Sequence, residues 1–258
     1  MAAPPRILPV GKRPPRTRMS DFSFLLFGPP GIGKTTLGNA FPDALFLATE
    51  SGTELMSAAA VDIGSWGDFQ AVLAALRGGE PHGYRTVVVD TIDNLYPMCV
   101  EAVCREMGLS DPSDGDWGIG WRTLKNRWTS AIHGLRTLKA ADGSRVCTVF
   151  LGHEKREPIR VRRGSKEVET GRHYVSSDLP RTARGVLHSA VDFILHCEMD
   201  ENEARWLRTQ PAKTEAEDIE AKGRGREGHQ LPDLVPMDFR GLALAFAKAF
   251  NSRSAAKE

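Results

Sequence analysis

The segment GPPGIGKTT, residues 28–36, constrains this chain more than any other feature. It fits G-x-x-x-x-G-K-[ST] at Gly28, Gly33, Lys34 and Thr35. Glycines at these places let backbone N–H groups curl around phosphate oxygens where a Cβ would clash. A helix opening near Gly33 turns its positive end toward the same oxygens. A lysine at position 34 brings a mobile charge to β- and γ-phosphates, and the Thr35 hydroxyl suits a magnesium ion. The whole run (Gly28, Pro29, Pro30, Gly31, Ile32, Gly33, Lys34, Thr35 and Thr36) therefore reads as a cradle for ATP and Mg²⁺. The context supports it: an apolar strand, FSFLLFG, precedes the run, and KTTLGNA reads as a short helix ended by Phe41-Pro42.

The rest of the chain alternates in the same way. ALFLAT, TVVVD, VCTVFLG and VDFILHCE read as strands two to five, and ARWLRTQ as a sixth. Between them, Ser65 caps a helix bearing Trp66, Phe69, Val72, Leu73 and Leu76 on one face. A second helix carries Leu95, Cys99, Val103 and Met107, with Gly108 at its C′ position. A third, over 121–140, buries Leu124, Trp128, Ile132, Leu135 and Leu138. Residues 153–180 read as polar, basic and irregular, and 211–236 as a polar connection. Asp238 caps a last helix with Leu242, Phe246 and Phe250 inward. This order predicts a three-layer α/β domain with a mostly parallel sheet over 21–250. A Pro- and Arg-rich basic arm, residues 1–20, precedes it, and 251–258 reads as a frayed end.

Net charge is +1 over 258 residues, so contact with nucleic acid has to come from local patches. Four cysteines lack any CxxC pairing and read as small buried hydrophobes of a reducing cytosol. No apolar run approaches the roughly 18 residues of a membrane span.

Further site residues follow from strand ends. In an open parallel sheet, ligands sit beyond the carboxyl ends of the strands. Asp90 closes TVVVD and reads as a second magnesium-side residue. Glu50, just past the second strand, is placed to activate the attacking water. His153 closes the fourth strand and can sense the γ-phosphate. Asp93 reads as a solvated first-turn acid. Lys155, Arg156, Arg160, Arg162, Arg163 and Lys166 form a basic segment, either a DNA-touching loop or a solvated hairpin. Trp117 and Trp121 either stack on bases or anchor a core, and Trp121 is expected in the core.

Together GPPGIGKTT, Glu50, VVVDT, the polar residue closing the fourth strand and EAKGR resemble the RecA-like ATPase core. More narrowly the chain resembles the small phage-encoded ATPases of the Sak-four group, over roughly residues 20–250. That resemblance implies strands in the order fifth, first, fourth, third, second, and water activation by Glu50. It implies that Lys222 and Arg224 reach a neighbouring subunit's ATP. It implies a DNA-stimulated ATPase of single-strand annealing or recombination in the cytoplasm of a bacterial host. Implied partners are single-stranded DNA, further copies in a ring or filament, and a single-strand binding protein or helicase. His153 stands where many RecA proteins carry glutamine, a departure that bears on strand exchange. The competing readings are an ATP-gated helicase loader and a small-substrate P-loop kinase.

Overall fold

The computed structural model describes residues 16–54, 56–78, 82–163, 166–223 and 230–251. Its centre is a sheet built around β1 (Ser23–Gly28). On one side of β1 run β5 (Cys147–Arg163), β4 (Thr86–Asp90), β2 (Ala44–Ala48) and β3 (Ala59–Asp62). On the other side stand β7 (Phe193–Met199), then β8 (Arg205–Arg208) and β11 (Leu234–Pro236). All pairings from β7 to β3 are parallel, and β8 and β11 are antiparallel. The β7-β1-β5-β4-β2 order is the one the family resemblance implies.

Strand alternation sorts the core into two layers. Leu25, Phe27, Leu47, Val87, Val89 and Phe150 face one side. There they meet α2 (Trp66–Gly78), α3 (Ile92–Met107), α4 (Ile119–Arg136) and α5 (Arg181–Ala190). Phe24, Leu26, Phe46, Val88, Val149 and Leu151 face the other side. They are covered by α1 (Lys34–Asn39) and α6 (Phe239–Asn251). Trp128 is the largest fully buried side chain, and its indole N–H donates to Ala183 O at 3.2 Å. Truncating it would cost about 3–5 kcal/mol. The expected caps form. Ser65 Oγ accepts from Asp68 N, Gly108 sits at φ 65°, and Asp238 Oδ1 accepts from Gly241 N. All four cysteines are buried and free.

Three segments depart from the sequence reading. Residues 153–180 are not irregular. β5 continues beyond His153 and pairs antiparallel with β6 (Lys166–Ser177) as a long hairpin, followed by α5. Residues 211–236 carry β9 (Ala212–Lys213), β10 (Glu217–Ile219) and β11; β9 and β10 extend the β6 edge. Trp121 is not a core anchor; 48% of it is exposed.

Candidate nucleotide site

Strand register assembles the site. Gly28 pairs with His153, and Ala48 with Asp90, so the ends of β1, β5, β4 and β2 meet along one edge. Gly28 has to be glycine because β7 crowds it: a Cβ there would lie 2.5 Å from Cys197 O. Gly33 sits at φ +105°, a conformation L side chains avoid.

Lys34 is buried, and its Nζ donates to Gly28 O and Pro29 O, each at 2.9 Å. These bonds fold the lysine back over the loop and commit two of the three ammonium donors, which leaves one for a phosphate oxygen. Burial pushes the Lys34 pKa down, against the pull of Asp93, Asp90 and Glu50. Asp90 is buried too. Burial raises its pKa, and the Thr35 hydroxyl, which donates to Asp90 Oδ2 at 2.8 Å, works against that. Two hard oxygens side by side, with a lysine at hand, are the donor set that suits Mg²⁺ shared with phosphate and water. A 3-10 turn, Ser51–Thr53, passes over them, with Gly52 where a Cβ would lie 3.8 Å from Thr35 Oγ1. A nucleotide and its magnesium therefore fit residues 28–36 with Asp90.

Glu50 is exposed, and its Oε2 accepts from Asn94 Nδ2 at 3.1 Å. Asn94 gave no signal in the sequence; it faces Glu50 only because α3 starts beside β2. Asp93 is not a solvated acid. Its Oδ1 accepts from His153 N at 3.1 Å, and its Oδ2 lies 2.6 Å from His153 Nδ1. The carboxylate thus holds the histidine at its backbone N–H and at one ring nitrogen, 60 residues away in sequence.

The matching family model is an AAA domain, and it covers residues 20–224. The chain belongs to that family. It is a P-loop ATPase of the AAA type, a class that binds and hydrolyses ATP. The AAA domain match runs from just before β1 through the K-x-R segment, so every site residue the sequence singled out falls within it.

Other expected site residues lie apart from this edge. Lys222 of the AAA domain is turned into its own subunit. Its Nζ donates to His188 O at 2.6 Å and Val191 O at 2.8 Å, and its backbone bridges Ile194. Arg224 lies outside the described residues. In the hairpin the basic residues face acids: Arg160–Glu169 at 3.0 Å, Arg156–Glu217 at 2.8 Å, and Lys155–Asp178 at 3.8 Å. Arg162 stands opposite Glu167, and Arg163 pairs in register with Lys166 at the hairpin end. Exposed pairs of this kind contribute about 0–1 kcal/mol each, so a phosphate can compete for the same arginines. Trp117 is 97% exposed at φ +53° in the turn before α4. Trp121 walls a groove that also contains Tyr96, Arg122 and Lys125. Among the described residues no helix is long and apolar enough to cross a membrane.

Proposed function

We propose that this ATPase is a RecA-like protein that acts on single-stranded DNA in phage recombination or annealing, as do the Sak-four proteins it resembles. In this reading it works as an oligomer in the bacterial cytoplasm, with a single-strand binding protein or helicase as a further partner. The observation that carries the DNA reading is Trp117. A tryptophan left 97% exposed, in a backbone conformation unfavourable to any side chain, has no packing role that explains it. Four residues further along, the half-exposed Trp121 lines a groove with Arg122 and Lys125. Aromatic faces next to cations suit unstacked bases with their phosphates, and each stacked base is worth about 1–3 kcal/mol.

The roles then follow from position. Lys34 and the loop N–H groups hold the β- and γ-phosphates, and Thr35 with Asp90 holds magnesium. Bound magnesium neutralises charge on those phosphates. Glu50, steadied by Asn94, takes the proton of the attacking water. His153 reads the γ-phosphate and starts the hairpin, where Lys155, Arg156, Arg160, Arg162, Arg163 and Lys166 meet DNA. Lys222 anchors its segment, and Arg224, two residues on, is the group that reaches a neighbour's ATP.

The test is ATP turnover by purified protein with and without single-stranded DNA. Turnover should rise several-fold with DNA. No rise, together with no DNA binding in any nucleotide state, would replace this reading with a loader or small-substrate kinase.

A further inference from the structure

Arg205 opens β8, at the carboxyl end of the sheet, directly after the turn from β7. Its backbone is fixed on both sides. It pairs with Met199 of β7, and its carbonyl accepts from Met237 N at 2.9 Å. The turn behind it is braced by Asp200, which accepts from Asn202 N, Ala204 N and the Trp206 indole, each at 2.9 Å. The side chain is exposed, and its guanidinium makes no hydrogen bond or ion pair with any described residue. By contrast Arg208 on the same strand is committed to Glu198 by two bonds, at 2.8 and 2.7 Å.

This uncommitted cation lies against the phosphate loop. A Cβ added at Gly33 would stand 2.9 Å from Arg205 Nη1. Sheet order tells which end of a nucleotide it meets. Asp90, Glu50 and His153 belong to β4, β2 and β5, all on one side of β1. In the function proposed above, on which this inference rests, those groups mark the γ-phosphate end. β7 and β8 lie on the opposite side. A nucleotide cradled by residues 28–36 with its γ-phosphate toward Asp90 therefore runs toward Arg205 with the part that ATP and ADP share.

We infer that Arg205 is a nucleotide-binding residue that grips the α- and β-phosphate oxygens of ATP and ADP alike, in the same subunit. A planar guanidinium suits two phosphate oxygens at once. Held by a rigid strand, it needs little ordering when the nucleotide arrives. Because the contact is the same before and after the γ-phosphate leaves, it tightens binding without accelerating hydrolysis.

The test is titration with fluorescently labelled ADP and with a non-hydrolysable ATP analogue, on wild type, Arg205→Ala and Arg205→Lys, with Lys34→Ala as control. Arg205→Ala should weaken both nucleotides by the same factor, about ten-fold or more, with Arg205→Lys between it and wild type. Without nucleotide, Arg205→Ala should melt with wild type, because every other protein group keeps its partner. Under turnover KM should rise while kcat holds. Unchanged affinity for both nucleotides would overturn the inference. So would a loss confined to the ATP analogue, which would move the arginine to the γ-phosphate, or a lowered melting temperature without nucleotide. If wild type itself binds neither nucleotide, the P-loop reading fails before Arg205 is tested.

Discussion

The carboxylate of Asp93 holds His153 at two points, its backbone N–H at 3.1 Å and its ring Nδ1 at 2.6 Å. Asp93 opens α3, next to the strand that ends in Asp90; His153 ends the run of β5 that pairs with β1 and begins the hairpin. One carboxylate thus links the magnesium-side strand to the hairpin base and leaves Nε2 as the imidazole's outward nitrogen. Asp93→Ala should leave nucleotide affinity within a few-fold, since Lys34, Thr35 and Asp90 keep their contacts. The histidine would lose its fixed orientation, so the several-fold ratio of DNA-stimulated to basal ATP turnover should fall toward one. An unchanged ratio would show that the dyad only braces the fold.

Glu50 and Asn94 make a second pair of this kind, at 3.1 Å. Glu50→Gln keeps shape and removes the base, so turnover should drop by roughly 10²-fold or more while ATP stays bound. Asn94→Ala leaves the base in place but unsteadied, and turnover should fall by about ten-fold with little change in KM. Single-turnover measurements separate this from a binding defect. If Glu50→Gln turns over near the wild-type rate, the carboxylate is only a loop acid.

A buried ionic chain gives a pH prediction. His196 lies between Glu154, 2.9 Å from Nε2, and Glu198, 3.3 Å from Nδ1, with its ring packed on Phe27 just before the phosphate loop. Burial alone would lower the His196 pKa, but its bonds to the two glutamates win and raise it above 6.5. Burial alone would raise Glu154 and Glu198, but His196, Arg156 and Arg208 hold both below 4.5. A raised histidine stabilises the fold fully below its unfolded pKa and loses that contribution as pH rises through the folded value. The lowered glutamates contribute fully above their unfolded pKa and lose it as pH falls through the folded values. All three contributions are present between about pH 4.5 and 6.5. The gap in melting temperature between wild type and His196→Gln should therefore be widest near pH 6 and shrink by pH 8.5. A gap that does not vary with pH would mean that His196 stabilises by packing alone.

The phosphate loop and the central strands were legible because both are local patterns: glycines at fixed spacing, and apolar runs that alternate with amphipathic helices; the order of those strands in the sheet came from the family resemblance. The misses have physical causes. β3 is a fully exposed edge strand whose AAVD sequence carries no alternation to detect. The hairpin after His153 escaped because charged residues stand on both faces of its strands, and Val161 and Val168, which pair across it, are both exposed. α5 is marked only by Ala183 and Leu187, one turn apart. Asn94, Asp93 and Arg205 take their meaning from partners 44 to 172 residues away in sequence, and no local pattern encodes such pairings.

The last prediction concerns Trp117. Its backbone lies at φ +53° and ψ +27°, where a side chain costs about 1–2 kcal/mol relative to glycine. With 97% of the residue exposed, little packing offsets that cost. Trp117→Gly should therefore melt at or above the wild-type temperature. If the indole stacks on a base, the same change should weaken single-stranded DNA binding by about 1–3 kcal/mol, roughly five-fold to a hundred-fold or more. Stability and binding would then move in opposite directions, which a structural role cannot produce. The salt dependence adds a second readout. Removing a stacking ring leaves the arginines on their phosphates, so the slope of log K against log salt should stay as in wild type. Arg160→Ala with Arg162→Ala should instead flatten the slope by about 0.7 for each phosphate that is no longer neutralised. If Trp117→Gly binds DNA as tightly as wild type, the exposed tryptophan serves a protein partner, and the loader reading gains over the recombination reading.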